Sequence, residues 1–385
     1  MIINGFYERF KPPLIAHVST FPPTHCGIAT YCSNLMKNLH HKKCKFNPLL
    51  IQVKFNKYPI SDHLDRIPLF QNVKHSYFQV LDLINKLPVY CVSLQHEFKL
   101  FGGKHGKYIL LLLKNLNKPL ITTLHTISPN FTGKRRKIFK QIVKRSNAII
   151  VLSNSAARIL MKYYNVSISK INVIPHGVPN LPFVYPSKSN MRSKMKHEII
   201  FISAGLLREK KGIEYAFQAL AMLKPSYSNF MYFILGENHP QQDSASNYRS
   251  YLQRLAKKLN LGDNVTFIDQ YLTIEEMINY IWASDICLIP YKSKEQSSSG
   301  ILALFMACGR PVVSTNFQYA KDVIQKNSGI ITPTEDSKAF LKGIQTILHN
   351  KELRITMMNE AYAKTKNWKW NCIAERYLKI IESLD

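Results

Sequence analysis

Acidic residues are scarce. The 385 residues contain 24 Asp and Glu against 52 Lys and Arg, a formal net charge of +28, which excludes the acidic, solvating class of disordered chains. Cysteine is sparse and scattered, at Cys26, Cys32, Cys44, Cys91, Cys287, Cys308 and Cys372. With no C-x-x-C pair, neither a disulfide framework nor a zinc site is expected, and reduced thiols point to a cytoplasmic setting. No apolar run approaches the roughly 18 residues of a membrane helix. Glu8, Arg9 and Lys11 precede the first strand-like run, so a signal peptide is not expected either. Low-complexity tracts are absent, and no basic-plus-aromatic motif of a common nucleic-acid module appears.

What is present is apolar residue in quantity, 46% of the chain, enough for a core in each of two ordinary domains. The charge is uneven. Residues 1–180 carry 26 Lys and Arg against 5 Asp and Glu, while residues 181–385 carry 26 against 19. A basic first half predicts an anionic partner surface, lipid headgroups or nucleic acid. General lysine richness is the alternative, but it would act on both halves alike.

Short β-branched runs alternate with amphipathic stretches of helical length, the pattern of parallel sheets with crossover helices. Strands are expected at Leu14–Thr20, Pro48–Val53, Val89–Gln95, Leu120–Thr126, Ala148–Ser153 and Asn172–His176 in the first half. The second half repeats the theme at Glu198–Ala204, Met231–Gly236, Val265–Asp269, Ile286–Tyr291, Pro311–Ser314 and Gly329–Thr332. Pro179–Lys196, rich in Pro, Ser, Lys and Asn, reads as a linker. The expected organisation is therefore two six-stranded, doubly wound Rossmann-like α/β domains, residues 1–180 and 181–366. A closing helix at 367–385 is expected to return to the first domain. Ligands in such sheets bind beyond the carboxyl ends of strands, so the active site is expected in a cleft between the domains. Thr273 and Glu276 form a T-x-x-E capping box, and Lys211–Gly212 opens a helix at Ile213–Leu223.

Residues suited to chemistry gather at strand ends. Gly27 lies where a strand gives way to a helix, so the backbone can approach an anion at the helix N-terminus. Gln95, His96 and Glu97 lie at the carboxyl end of one strand and His125 at that of the next; a histidine there can hydrogen-bond a sugar hydroxyl or be purely structural. Arg208, Lys210 and Lys211 follow the first strand of the second half, placing fixed positive charge where a leaving diphosphate would develop negative charge. Ser299, Gly300 and Ile301 start a helix after a hydroxyl-rich loop, offering N–H groups to phosphate oxygens. Lys134–Arg145 has Ile138, Phe139, Ile142 and Val143 on one side among many cations. That face either lies on anionic lipid or belongs to the core.

Together these pieces resemble the retaining family-4 glycosyltransferases of GT-B fold. The resemblance runs over essentially the whole chain: P-P-T-H-C-G-I-A, Q-H-E-F and T-L-H-T, then V-I-P-H-G-V-P, A-G-L-L-R-E-K-K-G, F-I-L-G, V-T-F-I, A-S-D-I-C-L-I-P, S-G-I-L-A and M-A-C-G-R-P-V-V-S-T. It implies that Lys211 holds the donor diphosphate, assisted by the amides of Ser299, Gly300 and Ile301, and that His125 stands close to the transferred sugar. It further implies that Gly27 covers the donor phosphates, with Gly205, Gly236 and Ile268 among the donor contacts. No cofactor and no metal are implied. Two positions depart from the family. Its Glu-x7-Glu pair falls on Gln296 and Leu304, with Glu295 adjacent to the first, and its arginine six residues before the lysine falls on Gly205, leaving Arg208 as a substitute. Leucine cannot accept hydrogen bonds from a ribose.

The expected function is retaining transfer of a hexose from a nucleoside-diphosphate sugar to a glycan or lipid-linked acceptor. The expected setting is the cytoplasm, peripheral at the inner, anionic face of the membrane, with no nucleic-acid partner. A GT-B-like phosphorylase using inorganic phosphate, and a non-catalytic protein binding anionic ligands, are the alternatives.

Overall fold

A computed structural model describes residues 13–40, 44–55, 66–238, 244–325 and 327–384. Glu8, Arg9 and Lys11 lie outside the described residues. The chain divides into two compact units, Met1–Gly177 with Trp370–Asp385, and Val178–Lys369.

The first unit holds a seven-stranded parallel sheet: β1 (Leu14–Ser19), β2 (Asn47–Lys54), β3 (Arg66–Phe70), β4 (Val89–His96), β5 (Leu120–Leu124), β6 (Ala148–Val151) and β7 (Ile171–Val173), in the order β3-β2-β1-β4-β5-β6-β7. The second holds six: β8 (Ile199–Ala204), β9 (Phe230–Leu235), β10 (Val265–Ile268), β11 (Ile286–Ile289), β12 (Val312–Thr315) and β13 (Gly329–Thr332), in the order β10-β9-β8-β11-β12-β13. Both are doubly wound, and in each the strand order reverses beside the first strand, between β1 and β4 and between β8 and β11. Such a switch point opens a crevice at the strands' carboxyl ends. β1 and β8 are buried along their whole length, as strands covered by helices on both faces must be.

Every strand expected from the sequence is present, and β3 is an addition, making the first sheet seven-stranded rather than six. Pro68 argues against a strand by composition. It is tolerated because, among the described residues, β3 is an edge strand paired with β2 alone.

The segment read as a linker is instead fixed to the second unit. Its Arg192 guanidinium donates to Asp285 Oδ2 at 2.7 Å and to the carbonyls of Ala283 and Glu198 at 3.0 and 2.6 Å. Arg310, fully buried, donates to the carbonyl of Val184, and Tyr362 donates to that of Leu181 at 2.8 Å. Composition suggested a free connection because Arg192 and two of its acceptors, Ala283 and Asp285, lie about ninety residues apart in sequence.

The basic helix Gly133–Arg145 buries Ile138, Phe139, Ile142 and Val143. Its apolar face is thus core, and the lipid-facing reading of those four residues is withdrawn. The helix Trp370–Glu382 packs on Gly27–Leu39 through Tyr377, whose hydroxyl lies 2.7 Å from that of Tyr31. Thr273 and Glu276 close both halves of the capping box. No described helix is long and apolar enough to cross a membrane.

Candidate active site

In the second unit, a recess opens at the switch point, lined among others by Ala204, Gly205, Lys211, Pro290, Tyr291 and Ile301. The loop after β8 turns at Gly205, with φ +106°. A Cβ there would meet Lys211 Nζ at 3.0 Å, so glycine gives the ammonium room beside the backbone. Gly236, after β9, has φ +131°, and a Cβ on it would come within 2.6 Å of the Gly205 carbonyl oxygen. The two loops can be this close only as glycines. Gly236 donates its N–H to the carbonyl of Ile268 at 3.1 Å, which ties the end of β10 to the same loops. Lys211 donates to Tyr291 Oη at 2.7 Å, fixing its head group between the ends of β8 and β11.

Ser299 caps the helix Gly300–Ala307, its Oγ accepting from Leu302 N at 3.2 Å. The N–H groups of Gly300 and Ile301 are first-turn donors without intrahelical acceptors, and Ile301 lines the recess with Lys211. Gly205, Lys211 and Ile301 are therefore brought together, with Gly236 and Ile268 directly behind. Arg208 stands at the start of the same turn, its carbonyl accepting from Lys211 N at 2.8 Å. Glu295 and Gln296 are not among the recess-lining residues. Glu295 is exposed, and Gln296 turns its amide back onto the Ser298 carbonyl at 3.0 Å. Leu304 is buried at 3% exposure.

In the first unit, Gly27 is the first residue of its helix, with open space where a side chain would stand. Cys26 caps that helix, its Sγ accepting from Ala29 N at 3.2 Å. His96, Glu97 and His125 are adjacent: His125 donates its backbone N–H to the His96 carbonyl at 3.1 Å, and the Glu97 carboxylate accepts from Thr126 Oγ1. His125 Nε2 lies 2.9 Å from Gln95 Oε1. Burial, reinforced by His176 and His96, pushes the His125 pKa down to about 3. Burial and then Arg135 do the same to His96, also to about 3. Both rings are neutral at neutral pH, so they act as hydrogen-bonding groups rather than cations.

Sequence reasoning named Gln95 at its strand end but missed three supporting contacts. Tyr291 holds Lys211; Arg249 ties the Gly236 carbonyl to Asp269, at 2.8 and 2.7 Å; and Gln95 holds His125. Tyr291 ends the strand expected at Ile286–Tyr291 and so carried a signal of place, whereas Arg249 lies mid-helix, thirteen residues from its partner, and carried none.

Two family models match the chain: glycosyl transferases group 1 over residues 187–364, and glycosyltransferase family 4 over residues 63–180. The chain is a glycosyltransferase of GT-B fold. The phosphatidyl-myo-inositol mannosyltransferase of Propionibacterium freudenreichii is 24% identical to it over 271 residues, 69% of this chain and 64% of that protein. The match thus spans less than two thirds of that relative's length. Among solved structures, sucrose-phosphate synthase from Thermosynechococcus elongatus superposes with a TM-score of 0.79 at 19% identity, covering 97% of this chain and 99% of that one. Anabaena HepE in complex with UDP superposes with a TM-score of 0.77 at 16% identity, covering 96% and 100%. The fold and the enzyme class expected from the sequence both hold for this glycosyltransferase.

Proposed function

We propose that this glycosyltransferase moves a hexose from a nucleoside-diphosphate sugar to a glycan or lipid-linked acceptor with retention of configuration. The observation that carries the reading is the recess at the β8–β11 switch point, which Lys211 lines together with Ile301 of the first turn of the helix Gly300–Ala307. As the sugar–phosphate bond breaks, negative charge grows on the leaving diphosphate. A lysine already fixed by Tyr291 and a helix N-terminus stabilise that charge with little reorganisation. They supply the positive charge that a metal ion would otherwise bring. Retention follows if the acceptor attacks from the face that the diphosphate leaves, with a departing phosphate oxygen taking its proton. In the first unit, His125 is the proposed neutral hydrogen-bonding group for the transferred sugar, with His96 and Glu97 on the acceptor side. HepE, named in complex with UDP, supports a nucleotide donor. The basic residues 1–180 support work at an anionic membrane face.

Buried Leu304 favours a second reading, a phosphorylase that uses inorganic phosphate, because no carboxylate stands at that position to receive ribose hydroxyls. The non-catalytic alternative is set aside by the family matches.

Incubating the enzyme with UDP-, GDP- and ADP-hexoses and acceptors presented in anionic vesicles tests the proposal. Released nucleoside diphosphate, an unchanged anomeric configuration, and turnover that falls with added salt are expected. Turnover that consumes only inorganic phosphate or a sugar phosphate sinks the nucleotide donor and establishes the second reading.

A further inference from the structure

Two loops of the second unit are fastened to each other at the recess. One follows β8 and leads through Lys210, Lys211 and Gly212 into the helix Ile213–Leu223; the other follows β11 and carries Pro290, Tyr291 and Lys292. Lys292 donates its backbone N–H to the Lys210 carbonyl at 3.1 Å. Gly212, with φ +63°, lets the Pro290 carbonyl oxygen come so near that a Cβ would collide with it. In the same two loops, Lys211 Nζ donates to Tyr291 Oη at 2.7 Å.

Glu214 adds a further fastening. It is buried in the first turn of the helix Ile213–Leu223, and its Oε1 lies 2.5 Å from Lys292 Nζ. Its Oε2 accepts from Tyr248 Oη at 2.5 Å, and that hydroxyl accepts in turn from the Ile213 N–H at 2.9 Å. Each carboxylate oxygen therefore has a donor, one on the loop after β11 and one that also holds the start of the helix. The loop is tied from its other side as well, since Thr315 Oγ1 donates to the Tyr291 carbonyl at 2.6 Å.

An acid at this place works against binding an anion. Ile213 and Tyr291, the neighbours in sequence of Glu214 and Lys292, both line the recess, and a bare carboxylate there would repel a diphosphate. Burying it is also unfavourable unless it is paired. A glutamine would avoid both penalties, but it would hold an ammonium only about half as strongly as a carboxylate does. Pairing with Lys292 cancels the charge and keeps the hold. Lys211, by contrast, meets a neutral phenol, so its positive charge stays available to a ligand.

We infer that Glu214 is a positioning residue of the donor site: by gripping the Lys292 ammonium it fixes the loop after β11, so that the Tyr291 hydroxyl holds Lys211 at the recess. The inference rests on the proposed role of Lys211 at the diphosphate.

Glu214→Gln/Lys292→Met removes the grip without changing net charge, a replacement that buried ion pairs often tolerate. Two quantities are read on the full chain: affinity for inorganic pyrophosphate by calorimetry, and kcat and KM with the UDP-, GDP- or ADP-hexose turned over fastest. The double replacement should lower kcat about tenfold through a misplaced ammonium, with the donor KM changing less, and should weaken pyrophosphate binding. In a Tyr291→Phe background it should lower kcat little further, and in a Lys211→Ala background not at all, because all act through one ammonium. A merely structural pair would give the same loss in every background. Wild-type kcat and affinity in the double replacement, or an undiminished further loss in the Lys211→Ala background, overturns the inference and leaves the role of Lys211 standing. Wild-type turnover and pyrophosphate binding by Lys211→Ala overturns that role and the inference with it. Should the double replacement not fold, Lys292→Gln, whose amide still donates to Glu214, goes through the same backgrounds and the same outcomes decide.

Discussion

Lys211→Ala should lower kcat by roughly 10²–10³-fold, about 3–4 kcal/mol of barrier, while changing the donor KM much less. The size follows from when the charge is needed. Under the proposed function the ground-state donor already carries its diphosphate charge, whereas the charge added as the bond breaks would fall on the leaving diphosphate that Lys211 is proposed to stabilise. An interaction stronger in the transition state than in the ground state appears in kcat. Two features make Lys211 the residue to test. Its side chain lines the recess, and Tyr291 Oη at 2.7 Å orders it before the donor arrives. Lys210 is one residue away but exposed, so Lys210→Ala is the control and should stay near wild type. Tyr291→Phe should fall between the two, because the ammonium remains but loses its fixed position. Equal turnover in Lys211→Ala and wild type would falsify the role.

The second large effect is on stability against acid. His17, His96, His125 and His176 are all in the first unit, and burial lowers the pKa of each: well below the ordinary value for His17, to about 3 for His96 and His125, and to about 4 for His176. Their unfolded value is near 6.5. Between the unfolded and folded values the unfolded chain binds more protons, so stability is fully present above about pH 6.5 and is lost as pH falls toward 4 and 3. Each such histidine costs about 1.4 kcal/mol per pH unit in that window. His96, His125 and His176 act on one another, so their costs overlap rather than add, but even two such protonations are about 3 kcal/mol per unit, against a typical total stability of about 5–15 kcal/mol. The first unit should therefore lose stability steadily as pH falls below about 6.5. Carboxylates are few in this unit, 5 in residues 1–180 with Glu375, Glu382 and Asp385 in its C-terminal segment. Denaturant midpoints at pH 7.5 and 5.0 are the check, with His17→Asn and His176→Asn expected to flatten the slope. A midpoint that does not move between those two values contradicts the neutral, buried state of these rings.

The parts of this molecule that were legible in the sequence are those written in local pattern. β1 and β8 are continuous apolar runs, as buried parallel strands must be, and both were evident. Thr273 and Glu276 state their cap in four residues. Lys211 and the start of Gly300–Ala307 each sit where a strand or loop meets a helix, so both could be proposed as anion-binding positions from local pattern, while Gly205 was singled out only by the family resemblance. What could not be read is what depends on partners far along the chain. The face of Gly133–Arg145 fits lipid or core equally well by periodicity, and only packing decides. The lysine's phenol partner lies 80 residues away, and the hydroxyl pair of Tyr31 and Tyr377 is separated by 346. Position 304 was legible as a departure from a family pattern, but its burial, which removes it from donor chemistry, was not.

The central claim is that the recess beside Lys211 binds a nucleoside-diphosphate sugar although leucine occupies position 304. Its most direct test is the thermal stabilisation of the purified protein by UDP-, GDP- and ADP-hexoses and by inorganic phosphate, in the wild type and in Lys211→Ala. The account predicts stabilisation of the wild type by one nucleotide sugar and a much smaller shift in the variant. Stabilisation by inorganic phosphate alone, or an equal shift in both proteins, would contradict it.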